Sequence, residues 1–313
     1  VPFVDHTGID WQQVRRSQYW MYQRFRYEYP GPVWNLHQRL MVVPTEHHGD
    51  QYLTGHKLRV TADAAIRSDI DRFGNSIYYV DLAHVDASVD FEVWISIERN
   101  RLGANELPTI SREKAAIFLE PSPLTEPAEN LREVARQIAE SVNSDDSWQL
   151  AEQISEWVWQ KMEYKSGVTN VATCAAEALR LGQGLCQDYS HIMLALCRLN
   201  GLPARYVSGH LLGEGGSHAW VEVLLPAPDS SDLVAVPFDP TNHCRAGLHH
   251  VTVAVGRDFR DVSPTSGYFT APYSGKLITS KRAGLITVEY LDGEMKSIGD
   301  NEVLFFDDEK QIA

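Results

Sequence analysis

Cys186 stands where two sequence patterns meet. Gly182-Gln183-Gly184-Leu185 leads up to it, and a nearly continuous apolar run follows it as far as Leu199. Asn200-Gly201-Leu202-Pro203 then closes the run, with Gly just past the periodic residues and Pro beyond, which is how helices stop. The spacing therefore predicts a helix with Cys186 at its mouth, buried on most sides by Tyr189, Ile192, Met193, Ala195, Leu196 and Leu199. Aligned peptide dipoles favour an anion at that position, and a cysteine so placed reaches its reactive thiolate form more readily than a free thiol. By itself, Cys186 reads first as a small buried hydrophobe.

A nucleophilic cysteine needs a base, and the base needs a group to orient it. Ser217-His218-Ala219-Trp220-Val221-Glu222-Val223 alternates as a strand that puts His218, Trp220 and Glu222 on one face. Phe238-Asp239-Pro240-Thr241 offers a carboxylate at the end of the next strand, where Pro240 enforces extended or turn geometry. Neighbouring strands would set His218 and Asp239 side by side, facing the helix mouth. The chemistry expected is an ion-pair-like Cys–His couple, held in the right tautomer by a carboxylate, attacking an amide or ester carbonyl. The oxyanion that develops needs donors. The backbone N–H of Cys186 is one; the side chains of Gln183 and Gln187 are both candidates, and the sequence leaves both open.

Other reactive residue types read as structural. Cys197 lies three turns along the same helix and belongs to the core; Cys174 and Cys244 read the same way, although Cys244 follows Asp239 closely. His191 reads as a packed or capping residue, Trp220 and Glu222 as strand locks, and Arg257, Asp258 and Asp261 as a salt-bridged turn. His249-His250 with His243 and Cys244 invites a zinc reading, but no ligand spacing supports it. His47-His48 reads as a solvated turn. No metal and no cofactor is expected.

These groups must be positioned by elements. Tyr19–Tyr29, Leu36–Val43, His56–Thr61, Ser76–Leu82 and Val89–Ile97 show strand alternation or β-branched and aromatic enrichment. Pro121, Pro123 and Pro127 mark a boundary. Helical spacing follows from Leu131 to Val142 and again from Leu150 to Met162, with Ser147 as the expected N-cap. Cys174–Leu181 reads as a short helix ending at Gly182. After the cysteine helix, Ala204–Leu212, His218–Leu225, Leu233–Phe238 and Val251–Val255 read as strands with no helix between them, so antiparallel pairing is expected. Leu277–Thr279, Leu285–Tyr290 and Val303–Phe305 add late strands. The expected domains are residues 1–122 (β-rich, sandwich-like), 123–275 (catalytic core) and 276–313 (strands packing on the core or on the first domain).

The chain has 313 residues and a net charge of −14, which argues against nucleic acid or an anionic membrane as a partner. No apolar run approaches the ~20 residues of a membrane span, and no secretory leader is visible. Four cysteines without paired spacing read as reduced thiols, so a cytoplasmic protein is expected.

Gly-Leu-Cys-Gln-Asp-Tyr-Ser-His at 184–191, His-Ala-Trp-Val-Glu at 218–222 and Phe-Asp-Pro-Thr-Asn at 238–242, in this order, closely resemble the bacterial transglutaminase-like superfamily. The resemblance covers most of the chain. The first half looks like the N-terminal region of bacterial members, and Val253–Val262 looks like their downstream segment. It implies an α+β fold, with a papain-like core whose nucleophile helix packs on an antiparallel sheet. It also implies that Cys186 is the nucleophile, His218 the base and Asp239 the orienting acid. Eukaryotic transglutaminases follow their cysteine with Trp and use calcium; here Gln187 follows, and no EF-hand-like loop is present. The expectation is therefore hydrolysis of an amide or peptide bond in a protein or peptide substrate through a thioester. The alternatives are a non-catalytic binding or scaffolding module and an amine-accepting transglutaminase.

Overall fold

The computed structural model describes residues 3–101, 107–142, 146–227 and 230–298. The first half supplies β1 (Val14–Glu28), β2 (Val33–Leu40), β3 (His47–His48), β4 (Gln51–Val60), β5 (Ala65–Ile70), β6 (Ser76–Val85) and β7 (Ser88–Asn100). After them come β8 (Thr109–Ile110), α1 (Arg112–Ala115), α2 (Glu129–Ser141), α3 (Ser147–Lys161), β9 (Glu163–Tyr164), α4 (Ala175–Leu181), β10 (Gln183–Gly184) and α5 (Cys186–Leu199). The remainder is β11 (Ala204–Leu211), β12 (His218–Pro226), β13 (Leu233–Asp239), β14 (Cys244–Arg245), β15 (His250–Gly256), α6 (Phe259–Val262), β16 (Thr265–Thr270), β17 (Lys276–Tyr290) and β18 (Met295–Ser297).

Two sheets form a sandwich. One runs β18-β17-β1-β7-β4-β3 and the other β16-β2-β6-β5. Tyr19, Met21, Phe91 and Ile95 from the first share one core with Leu36, Leu40, Val80 and Leu82 from the second. The inward residues alternate with outward ones, as a two-layer β structure requires. The third sheet runs β14-β13-β12-β11-β15, with β8 added on β13. Its pairings are antiparallel throughout. Ala219, Val221, Val223 and Leu225 of β12 face the helical layer and share a core with Ile192, Met193 and Leu196 of α5, and with Leu131, Ile154 and Ala178 of the other helices. The fold is thus α+β, with the cysteine helix packed on an antiparallel sheet beside a β sandwich.

Several expectations change. The helix at 147–161 is capped by Asp146, whose Oδ1 accepts from the backbone N–H groups of Trp148 and Gln149 at 3.0 Å each, rather than by Ser147. The strand Ala65–Ile70 escaped the sequence reading because all its residues are exposed, leaving no apolar alternation to see. Leu277–Thr279 and Leu285–Tyr290 belong to one strand, β17, which pairs with β1 in the sandwich. Val303–Phe305 lies outside the described residues. Residues 109–110 pair with the core strand β13, while residues 265–270 pair with β2 of the sandwich. The chain therefore crosses between sandwich and core at places other than 122 and 275.

Candidate active site

The approach to Cys186 is shaped by two glycines with different jobs. Gly182 ends α4 with φ +63°, the left-handed conformation that closes a helix. Gly184 is required by contact instead: a Cβ there would stand 2.5 Å from Oδ2 of Asp188. Asp188, at the third position of α5, reaches back to accept from the backbone N–H of Leu185 at 2.7 Å and from Thr169 Oγ1 at 2.7 Å. This carboxylate fixes the turn that presents Cys186 as the first residue of the helix. Burial pushes the Asp188 carboxyl pKa up, against the pull of those hydrogen bonds.

Cys186 is half-buried, whereas Cys197 is fully buried and its thiol is pushed by burial up to about 12. Cys197 is core, as expected. Cys244 is not: it is exposed and lies opposite Asp239 in the β13–β14 pairing. Cys174 caps the start of α4 through its backbone geometry.

His218 and Asp239 come together. His218 Nε2 bonds Asp239 Oδ2 at 2.7 Å, with both side chains almost wholly buried. Burial by itself would lower the imidazole pKa. The Asp239 carboxylate bonded to the ring and the charge of Cys186 outweigh it and raise His218 to about 10. The other ring nitrogen, Nδ1, has Glu214 Oε2 at 3.6 Å. Asp239 itself is held well below the usual carboxylate range. Burial opposes ionisation, but the bonds to His218, His250 and Asn242 prevail. Its Oδ1 accepts from the backbone N–H of Thr241 at 3.0 Å and of Asn242 at 3.2 Å, and its Oδ2 from Asn242 Nδ2 at 2.8 Å.

The sequence reading missed His250. Its Nε2 lies 3.1 Å from Asp239 Oδ2, on the same oxygen that His218 uses. The only sequence signal at that point was a pair of histidines, for which no ligand spacing supported a zinc reading. Among the described residues, His218, Asp239 and His250 are the one group able to offer three ligand atoms within 4.8 Å. All three are already committed to one another by hydrogen bonds, and His250 Nδ1 accepts from Gly247 N–H at 3.1 Å. His249 packs at a tilt against both Trp11 and His250, and His243 stacks on Trp159.

The two glutamines differ. Gln183 donates its Nε2 to Glu163 Oε2 at 2.7 Å, so its amide is turned to a neighbour on β9. Gln187 is half-buried in the first turn of α5, next to Cys186. His191 is a packed residue: it is buried, its Nε2 accepts from Phe259 N–H at 3.2 Å, and burial lowers its pKa to about 3. Glu222 locks its strand by accepting from Arg205 Nε at 2.6 Å and bonding His48 Nε2 at 2.8 Å. Burial disfavours the charged form of Glu222, yet the Arg205 and His48 partners hold its pKa at about 2. His48 is thus a long-range partner of the core sheet and not part of a solvated turn. Arg257 and Asp261 form the expected ion pair at 3.1 Å, and Asp258 caps α6.

Residues 132–240 match the family model of the transglutaminase-like superfamily, and residues 19–98 match that of the bacterial transglutaminase-like N-terminal region. An uncharacterised protein of Mycobacterium leprae is 34% identical over 126 residues, covering 37% of this chain and 43% of that one. An uncharacterised Mycobacterium tuberculosis protein is 34% identical over 122 residues, covering 35% and 38%. The match spans less than half the length of these relatives. The crystal structure titled a "Putative Cysteine Protease" from Cytophaga hutchinsonii superposes with a TM-score of 0.70 at 18% identity, over 91% of this chain and 94% of that one, which establishes the shared fold. No helix among the described residues is long and apolar enough to cross a membrane. With its helical core matched on one side and its strand-rich first half on the other, the chain belongs to the transglutaminase-like superfamily and carries the N-terminal region of its bacterial members.

Proposed function

We propose that this protein is a cysteine-nucleophile acyl-transfer enzyme that hydrolyses an amide or peptide bond. The observation that carries the reading is the bond from His218 to Asp239 at 2.7 Å, on an imidazole whose pKa is raised to about 10 by Asp239 and by the charge of Cys186. An imidazolium of that kind stabilises a neighbouring thiolate. The Cys186 thiolate attacks the carbonyl carbon, and the C=O π electrons move onto oxygen beside the Cys186 backbone N–H. Collapse of this intermediate expels the amine, which takes its proton from His218. The resulting thioester is opened by water, which gives a proton to His218 as it attacks and regenerates the thiol couple. The departure at Gln187 from the Cys-Trp of eukaryotic transglutaminases favours water over an amine as acceptor.

Iodoacetamide tests the nucleophile without knowledge of the substrate. Cys186 should alkylate at pH 6–7 at least about tenfold faster than exposed Cys244, with an inflection below the free-thiol value of ~8.5. Equal rates at the two cysteines, with no such inflection, would overturn the reading. Trapping the acyl-enzyme from a peptide library and weighing the adduct on Cys186 then identifies the target. Full biological function in Cys186→Ala would point instead to a binding module.

A further inference from the structure

The Asp239 carboxylate has a second histidine on it, and the N-terminal half of the chain grips the segment that carries this residue. His250 opens β15 and is 1% exposed. Its ring is wedged edge-on against Trp220, at 5.1 Å between centroids and 74° between planes, and lies against His249 on its other side. Hydrogen bonding fixes its tautomer. Gly247 N–H donates to Nδ1 at 3.1 Å, so Nδ1 is an acceptor and the proton sits on Nε2, where it is donated to Asp239 Oδ2 at 3.1 Å. A histidine bonded in this way is neutral, and burial depresses its basicity further, against the pull of Asp239.

What holds His250 there comes from the sandwich. Arg99 of β7, itself paired with Asp50 at 2.6 Å, donates to the backbone carbonyl of His250 and to that of Gly247 at 3.4 Å. Tyr19 of β1 donates its hydroxyl to the carbonyl of Leu248. Beyond His250, the amide of Gln51 takes both backbone groups of Thr252, at 2.8 and 2.9 Å, and the amide of Asn75 takes both of Val255, at 2.7 and 2.8 Å. β15 is an edge strand of the core sheet, and an edge strand would otherwise present unpaired backbone groups. Two side-chain amides from the first half pair them.

We infer that His250 is a positioning residue for the catalytic carboxylate, and that the N-terminal sandwich acts on catalysis by holding His250 in register behind Asp239. The inference rests on the Cys–His–Asp reading above. Without the His250 donor, Asp239 is free to swing toward the Thr241 and Asn242 backbone N–H groups, and His218 loses the aligned acceptor that stabilises its imidazolium. The charged or titratable groups facing His250 are Asp239 and His218 on the core sheet, Arg99 on β7, and His249 beside it.

The test is the pH dependence of Cys186 alkylation by iodoacetamide in the full chain, for wild type, His250→Phe, His250→Gln and Arg99→Met. His250→Phe keeps an aromatic ring against Trp220 but donates nothing. Its thiolate inflection should move up toward ~8.5 and its rate at pH 6 should fall about tenfold for each pH unit moved. His250→Gln, which retains an N–H donor, should recover at least half of the shift in log rate. Arg99→Met, in which His250 is intact but ungripped, should move the inflection in the same direction by a smaller amount. If His250→Phe fails to fold, the comparison of Arg99→Met and His250→Gln with wild type decides the matter. Variant profiles that superimpose on wild type, once scaled for folded protein, would overturn the inference while leaving the triad intact. A wild-type profile without any inflection below ~8.5 would overturn the triad itself.

Discussion

Asp239 gathers five hydrogen bonds on two oxygens, from His218, His250, the Asn242 side chain and the backbone N–H groups of Thr241 and Asn242. Every one of those partners is a donor, so the site is built for an anion and tolerates no amide in its place. Asp239→Asn would turn an NH₂ group toward N–H donors and leave His218 without its counter-charge. Amide turnover, once a substrate is found, should fall by about 10³–10⁴-fold, the scale on which such triads depend on the orienting acid. Gln183→Ala should change that turnover by less than about threefold, because the Gln183 amide already serves Glu163. The place of Cys186 at a helix start and the pairing of His218 with Asp239 were legible in the sequence because each residue sits inside a local pattern: a helix mouth, an alternating strand, a strand end before proline. His250 and His48 were not. Their partners, Asp239 and Glu222, are fixed by strand register and by packing between distant parts of the chain, and nothing in the neighbouring residues encodes that.

At the scale of elements, the turn between α4 and α5 is tightly constrained. Gly182 reverses the chain with positive φ, and Gly184 leaves room for the Asp188 side chain that caps α5. Gly184→Ala would put a Cβ into that side chain and force the cap off the Leu185 N–H. A loss of about 1–3 kcal/mol in urea unfolding is expected, together with slower alkylation of Cys186. A variant as stable as wild type would show that the cap is dispensable. The core strands and the cysteine helix were readable from their apolar periodicity, since both are buried against one another. Ala65–Ile70 was unreadable for the opposite reason: with every residue exposed, that strand is defined by its pairing with β6 alone.

Four histidines contribute to the response of the molecule to acid. Burial lowers His191 and His210 to about 3 and His249 to about 4, and it lowers His250 as well. Each has a folded pKa below its unfolded value of 6.5, so between those two values the unfolded chain binds protons that the native one refuses. The contribution of these four groups is therefore complete above about pH 6.5 and falls as the pH drops, by up to about 1.4 kcal/mol per pH unit for each group. Below about 4.5, Glu222 joins them, and its contribution is lost as the pH approaches 2. His218 is raised and adds nothing to this acid loss; its contribution is full below 6.5 and disappears as the pH climbs through about 10. Urea midpoints should fall as the pH drops from about 6.5 to 4.5, recording a net uptake of protons on unfolding, and a midpoint that does not move over that range would contradict this account.

The pairing of β17 with β1 reaches beyond architecture. Strand 276–290 lies against strand 14–28, with the whole helical core threaded between them in sequence. Closing so long a loop is entropically costly, and structures dominated by distant contacts fold slowly. During synthesis, β1 would leave the ribosome with its flank open on the β17 side until residue 290 followed it out. The half-built sandwich would meanwhile present an unpaired, apolar strand, which is a target for chaperones and for aggregation. Because Arg99, Tyr19 and Gln51 brace the His250 segment from that same sandwich, the support behind the Asp239 carboxylate would be complete only after strand 276–290 had docked.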